Sequence, residues 1–287
     1  MAAAAATAGP TRRGAAAERA LLRRLGELVT SSLGIRMPEH KLSMLAGRLQ
    51  RRLRDLELAS IADYETILLD PERGPDEMVA FMDIITTNKT DFFREPDHFA
   101  YLTTVALPTL AAGRDRWALK LWCAGCSTGQ EVYTLAMVLE DYAEHHPGFT
   151  WEIFATDIST RVLREAVRAT YRTDLVDPVP PLLRTRYLMR GTGPRKGFVR
   201  VVPELRRKVT FGRLNFMDEN YPVPTGFDII FFRNVLIYFD PPIQEAVVQR
   251  QCRHLTPGGY MFIAHTESLN GLDVPLDLER NSILRRR

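Results

Sequence analysis

Apolar positions in the first third of the chain recur every three or four residues, the spacing of helices with one buried face. Leu21, Leu22, Leu25, Leu28 and Val29 predict a helix over residues 18–34, which Gly34 ends. Leu42, Leu45, Leu49, Leu53 and Leu56 predict a second from about Pro38 to Leu56. Ser60 suits the cap of a third, with Tyr64, Ile67 and Leu68 inward, and a fourth follows Pro75 with Met78, Phe81, Met82 and Ile85. Residues 18–88 therefore read as a small all-helical domain, and the alanine-rich residues 1–17 as a loose tail. Residues 89–107 read as a linker, although Thr86 to Pro96 concentrates Asn, Thr, Arg and paired Phe and suits a cofactor-facing segment.

From Trp117 the pattern changes. Strand 119–124, helix 130–143, strand 151–156 and helix 159–169 alternate, and the rhythm resumes with strand 227–232, helix 242–255 and strand 259–264. Such alternation predicts a mostly parallel sheet covered by helices on both faces, here over residues 108–287. Between the two stretches, residues 184–213 hold two short β-like runs around Gly and Pro, read as an inserted antiparallel subdomain. The fold class is α/β: a Rossmann-like domain with a small antiparallel β-subdomain, preceded by an all-helical N-terminal domain.

Composition narrows the function classes. A net charge of +3 is too small to argue for nucleic acid. Three cysteines without regular spacing imply a reducing compartment, hence a cytoplasmic protein without a disulfide framework. No apolar run is long enough to span a bilayer, so no membrane insertion is expected. Lys41, Arg48, Arg51, Arg52 and Arg54 crowd the polar side of the second helix, and their single sign suits an acidic partner.

The candidate chemistry centres on Leu119 to Glu131: an apolar strand, a turn of small residues from Gly125 to Gly129, then a helix. Such a turn lets a ligand approach backbone N–H groups at a helix N-terminus. Asp157 ends the next strand about 28 positions after Gly129, a spacing suited to a ribose hydroxyl pair. The turn lacks the full G-x-G-x-x-G, and Glu131 beside it would repel a pyrophosphate while accepting bonds from a cationic or hydroxyl-bearing ligand. S-adenosylmethionine, an adenosine with a sulfonium and no phosphate, has that chemistry. Two other motifs overlap the turn. Gly125 to Gly129 also spells the G-x-S-x-G elbow of serine hydrolases, with Ser127 as nucleophile, but the helical upstream chain lacks the strands that fold needs. Cys123 and Cys126 have C-x-x-C spacing, but Cys252 is the one other cysteine; a four-thiolate zinc site is excluded and no metal is expected. His265, at the end of strand 259–264, is read as a solvent-edge or packing histidine.

Taken together, Thr87-Asn-Lys-Thr-Asp-Phe-Phe-Arg-Glu-Pro96, Ala124-Gly-Cys-Ser-Thr-Gly-Gln-Glu131, Ala155-Thr-Asp-Ile158, Arg233-Asn-Val-Leu-Ile-Tyr-Phe239 and Leu255-Thr-Pro-Gly-Gly259 resemble the CheR-type chemoreceptor glutamate methyltransferases of bacterial chemotaxis. The resemblance spans residues 20 to 285, in order. It implies an S-adenosylmethionine-dependent protein-glutamate O-methyltransferase that esterifies glutamates on chemoreceptor cytoplasmic helical bundles for sensory adaptation, with S-adenosylhomocysteine as product.

Carried over by motif, the cofactor residues are Asn88, Thr90, Arg94, Glu131, Asp157, Asn215, Phe216, Arg233 and Asn234, with Arg94 and Tyr238 near the reacting methyl group. Arg48, Arg51 and Arg52 are the expected receptor-facing cations. The loop with Arg190, Gly191, Thr192 and Gly193 resembles that of members which dock a receptor's C-terminal pentapeptide. A monomer is expected. The competing readings are a small-molecule O-methyltransferase, which leaves the basic helical domain and the β insertion unexplained, and the serine hydrolase.

Overall fold

The computed structural model describes residues 12–287, which divide between Thr86 and Thr87 into two compact units. The first holds four helices: α1 (Arg12–Leu33), α2 (Leu42–Asp55), α3 (Ile61–Leu68) and α4 (Gly74–Ile85). Residues 1–11 of the expected tail lie outside the described residues, but Arg12 to Ala17 already belong to α1. Leu22, Leu25, Val29 and Leu33 of α1 and Leu42, Leu45, Leu49 and Leu53 of α2 are buried, as their spacing demands. The Ser60 hydroxyl accepts the Asp63 N–H and so caps α3. Gly74 has no room for a side chain: an added Cβ would sit 2.6 Å from the Leu68 carbonyl oxygen.

Two of the expected receptor-facing cations are turned inward. The Arg48 guanidinium donates to the carbonyls of Ile84, Ile85 and Thr86, closing the C-terminus of α4. Arg52 makes a bidentate pair with the buried Glu77 at 2.8 and 2.5 Å, and the Tyr64 hydroxyl donates to the same carboxylate at 2.7 Å. Burial pulls the Glu77 pKa up, but the hydrogen bonds from Arg52 and Tyr64 outweigh it and hold the carboxyl below its ordinary value. Arg51 and Arg54 are the exposed arginines on α2. The four arginines of α2 thus split into two structural cations and two solvent-facing ones.

The second unit begins with α5 (Pro96–Tyr101), a π-helical turn (Leu102–Ala106) and α6 (Leu107–Ala111). These residues, read as a linker, instead bury Phe99, Leu102, Ala106 and Leu107 in the core of this unit. There follow β1 (Trp117–Ala124), α7 (Gln130–His145), β2 (Phe149–Asp157), α8 (Thr160–Arg168), β3 (Thr170–Arg172), α9 (Pro181–Tyr187), β4 (Leu188–Arg190), β5 (Phe198–Val201), α10 (Pro203–Arg206), β6 (Val209–Arg213), β7 (Phe227–Phe231), α11 (Pro241–Cys252), β8 (Leu255–Phe262), β9 (Leu276–Arg280) and β10 (Ile283–Arg286).

The main sheet has the order β6-β2-β1-β7-β8-β10-β9. The first five strands are parallel; β10 joins β8 antiparallel, and β9 pairs antiparallel with β10. A three-stranded antiparallel sheet, β3-β5-β4, forms the small subdomain. Its extent differs from the expected 184–213. It recruits Thr170 to Arg172, whereas Val209 to Arg213 is the edge strand of the main sheet, paired parallel with Ile153 to Asp157. The Thr256-Pro-Gly-Gly259 turn lies inside β8 as a bulge: Phe227 pairs with Leu255, but Ile229 already pairs with Tyr260. The β9–β10 hairpin has no counterpart in the sequence reading.

Strand order reverses between β1 and β7, so the crevice at the carboxyl ends of the parallel strands gathers residues 125–131, 157, 214–216, 232–238 and 263–267.

Candidate active site

The loop after β1 is tightly bound. Gly125 and Cys126 donate their N–H groups to the Thr156 carbonyl at 2.8 and 2.9 Å, and Ser127 donates its own to Asp157 Oδ2 at 2.8 Å. Few loop amides therefore remain for a phosphate, which strengthens the case for a ligand without one. Gly129 has φ 91°, and an added Cβ would meet the Tyr171 hydroxyl at 2.9 Å and Ala166 Cβ at 3.0 Å. Tyr171 donates its hydroxyl to the Thr128 carbonyl at 2.8 Å and clamps the loop from the small subdomain.

Asp157 is buried and takes main-chain N–H groups at both oxygens, from Ser127 and, at 3.0 Å, from Ser159. It caps the end of β2. The Ser127 hydroxyl donates to the Asn88 carbonyl at 2.9 Å. A main-chain carbonyl activates no nucleophile, so the hydrolase reading loses its base. Burial drives the Cys123 and Cys126 thiols well above their ordinary pKa, leaving two inert packing residues.

Arg94 is presented by unusual backbone. Its neighbours Phe93 and Glu95 are both left-handed, with φ 53° and 56°, a conformation that costs a non-glycine residue about 1–3 kcal/mol. The Phe93 N–H is fixed to Thr134 Oγ1 on α7 at 3.1 Å. Arg233, whose side chain is fully buried, fixes the other flank. It pairs with Glu95 Oε2 at 3.0 Å and Glu131 Oε2 at 2.8 Å, and donates to the Arg94 carbonyl at 2.5 Å. Among the described residues the Arg94 guanidinium itself has no hydrogen bond or ion pair, and it is half-buried. Thr90 is half-buried on the same segment.

Two expected cofactor residues, Glu131 and Arg233, are thus engaged with each other. Glu95 and Glu267 were not singled out from sequence, although Glu95 stands beside Arg94 and Glu267 two positions after His265. Phe216, one of the expected cofactor residues, packs edge-on to Phe232 with ring centres 5.1 Å apart and is largely buried. Asn215 Oδ1 accepts the Met217 N–H at 3.0 Å. Asn234 is left-handed with φ 60°, and its N–H meets Glu267. Tyr238 ends a 3-10 turn (Leu236–Tyr238) and is half-buried.

His265 is more than an edge residue. It hydrogen-bonds Asp97 at 3.0 Å, and its ring lies edge-on to His98 at 4.7 Å. Burial, aided by the charge of Arg233, pulls the His98 pKa down to about 4, so this ring is neutral at physiological pH. Glu95, His98 and His265 bring ligand-type atoms within 4.8 Å of one another. The Arg233 guanidinium already holds Glu95 there, and its charge opposes a cation.

Two family models cover most of the chain: the CheR methyltransferase all-alpha domain over residues 20–86 and the CheR methyltransferase SAM-binding domain over residues 88–281. The chain is 41% identical over 253 residues to the chemotaxis protein methyltransferase of Escherichia coli, covering 88% of this chain and 85% of that protein. It is 40% identical to that of Salmonella typhimurium, covering 87% and 84%. With chemotaxis protein methyltransferase 2 of Pseudomonas aeruginosa the figures are 39%, 82% and 81%.

Proposed function

The chain belongs to the CheR methyltransferase family, and from that premise we propose that it methylates glutamate side chains of chemoreceptor cytoplasmic domains, giving glutamate methyl esters for sensory adaptation. The presentation of Arg94 carries this reading: a guanidinium without a partner among the described residues, held between two left-handed residues at the carboxyl end of the sheet.

S-adenosylmethionine supplies the methyl group on a positively charged sulfur. The accepting glutamate is already ionised near neutral pH, so no general base is needed. Arg94 orients a carboxylate, either the substrate's or the amino-acid tail of the cofactor, and Tyr238 positions the reacting pair. Asp157 takes the ribose hydroxyls. Binding both reactants in line contributes up to about 7–11 kcal/mol to the rate. That is enough for a transfer without a His or Cys dyad.

Arg51 and Arg54 on α2 are the cations left free to meet the acidic receptor surface. A receptor's C-terminal pentapeptide adds to β4, an edge strand of the small sheet, where Met189 and Phe198 are exposed beside Arg190 and the Gly191 to Gly193 turn. The charged residues Asp277, Glu279 and Arg280 along β9, one edge strand of the main sheet, discourage edge-to-edge association there and suit a monomer. No helix among the described residues is long and apolar enough to cross a membrane, and three free cysteines suit the reducing cytoplasm.

The test is transfer of labelled methyl from S-adenosylmethionine to a receptor cytoplasmic fragment, read as base-labile ester. Wild type should label the fragment and Arg94→Ala should lower kcat by at least a hundredfold. Equal labelling by both proteins would refute the role of Arg94, and no labelling by wild type would refute the substrate.

A further inference from the structure

The turn that carries Asn234 and Tyr238 contains no regular element longer than three residues. Something outside it must hold it in place. On one side Gln244 of α11 donates its amide to the carbonyls of Leu236 and Phe239 at 2.9 and 3.1 Å. On the other side stands Glu267, which follows β8 and is buried. Its Oε2 accepts the Asn234 N–H at 3.1 Å and the Ala264 N–H at 2.8 Å, and its Oε1 accepts the Ile237 N–H at 3.4 Å. The Leu236 N–H also points at this carboxylate.

Every hydrogen bond recorded to the Glu267 carboxylate among the described residues comes from main chain. Burial raises the Glu267 pKa and these amides oppose the rise. A buried carboxylate without a cation is expensive, and it recovers that cost only while the amides of the turn converge on it. The relation works both ways: the turn also keeps its shape only while the carboxylate is there. A neutral amide in the same place would turn one N–H donor toward other donors.

We propose that Glu267 is a positioning residue of the methyl transfer, setting Tyr238 and Asn234 by binding the main chain between them. The claim of an effect on rate rests on the glutamate methylation proposed above; the claim about the turn does not. Glu267 touches neither reactant and acts through the turn.

Two measurements on Glu267→Gln test this. Amide hydrogen exchange of the unliganded protein should show residues 234–238 exchanging at least tenfold faster, with β1 and α7 unchanged. Receptor-fragment methylation should show kcat reduced at least tenfold, with KM for the fragment within about threefold of wild type. In a Tyr238→Phe background the same substitution should cost much less, because the residue it positions is already altered. Glu267→Asp keeps the charge but reaches fewer amides and should fall between wild type and Gln; if the Gln variant does not fold, Asp carries the same tests. A protected turn together with an unchanged kcat, or costs that add fully with Tyr238→Phe, would overturn the proposal. If wild type methylates no fragment, the methylation reading fails, and the exchange result alone decides whether Glu267 holds the turn.

Discussion

Replacing Arg233 with methionine separates the cofactor role expected from its motif from the structural role its ion pairs give it. As a cofactor ligand, Arg233 would cost binding when lost and leave the fold intact. In the structure its guanidinium is fully buried and is shared by two carboxylates that are each 14% exposed, those of Glu95 and Glu131. Methionine fills a similar volume but strands both carboxylates and the Arg94 carbonyl. Removing one partner of a buried ion pair costs about 3–5 kcal/mol, most of it the penalty of leaving charge uncompensated. At about 2–4 °C per kcal/mol for a domain of this size, the second unit should melt roughly 6–20 °C earlier. Urea denaturation of wild type and variant measures the loss directly. Glu95→Gln and Glu131→Gln added to Arg233→Met should recover much of it, since the stranded charges are then gone. A loss below about 1 kcal/mol would refute the reasoning, and if S-adenosylhomocysteine binding vanished as well, Arg233 would be a ligand residue after all.

Three further outcomes follow from the same geometry. Gly129→Ala places a Cβ against Tyr171 and Ala166 at φ 91°; it should destabilise by about 1–3 kcal/mol and weaken S-adenosylhomocysteine binding in calorimetric titration. His98 holds its proton only below about pH 4 when folded but below about pH 6.5 when unfolded, so protonation favours the unfolded chain as pH falls. Its contribution of up to about 3 kcal/mol is therefore complete above pH 6.5 and drains away toward pH 4, and His98→Gln should flatten that part of the stability–pH curve. Arg51→Glu with Arg54→Glu should raise KM for the receptor fragment several-fold with unchanged melting, whereas Arg52→Glu should lower the melting temperature, because it breaks the pair with Glu77.

Much of this was legible in the chain. Helical stripes and the α/β rhythm place most elements, because burial on one face leaves a period in the sequence. What escaped depends on partners far along the chain. Arg48 and Arg52 look like Arg51 until their contacts 25 to 38 positions away are known. β6 reads as part of the insertion because an edge strand of five residues carries no mark of which sheet it joins. Leu276 to Arg280 was missed because its alternation, Leu-Asp-Leu-Glu, is only four residues long, and it does not mark a buried face, since Leu278 is exposed. The left-handed Phe93 and Glu95 are invisible in principle, since neither is the glycine that signals such backbone.

That last feature bears on how this protein would respond to selection. Glycine at position 93 or 95 would relieve left-handed strain in the folded state, offset in part by the extra freedom it gives the unfolded chain. Heat-resistance screening carried out without an activity gate would thus be drawn toward the two residues that aim Arg94. The thermal margin of this enzyme and the aim of its arginine draw on the same few degrees of backbone torsion.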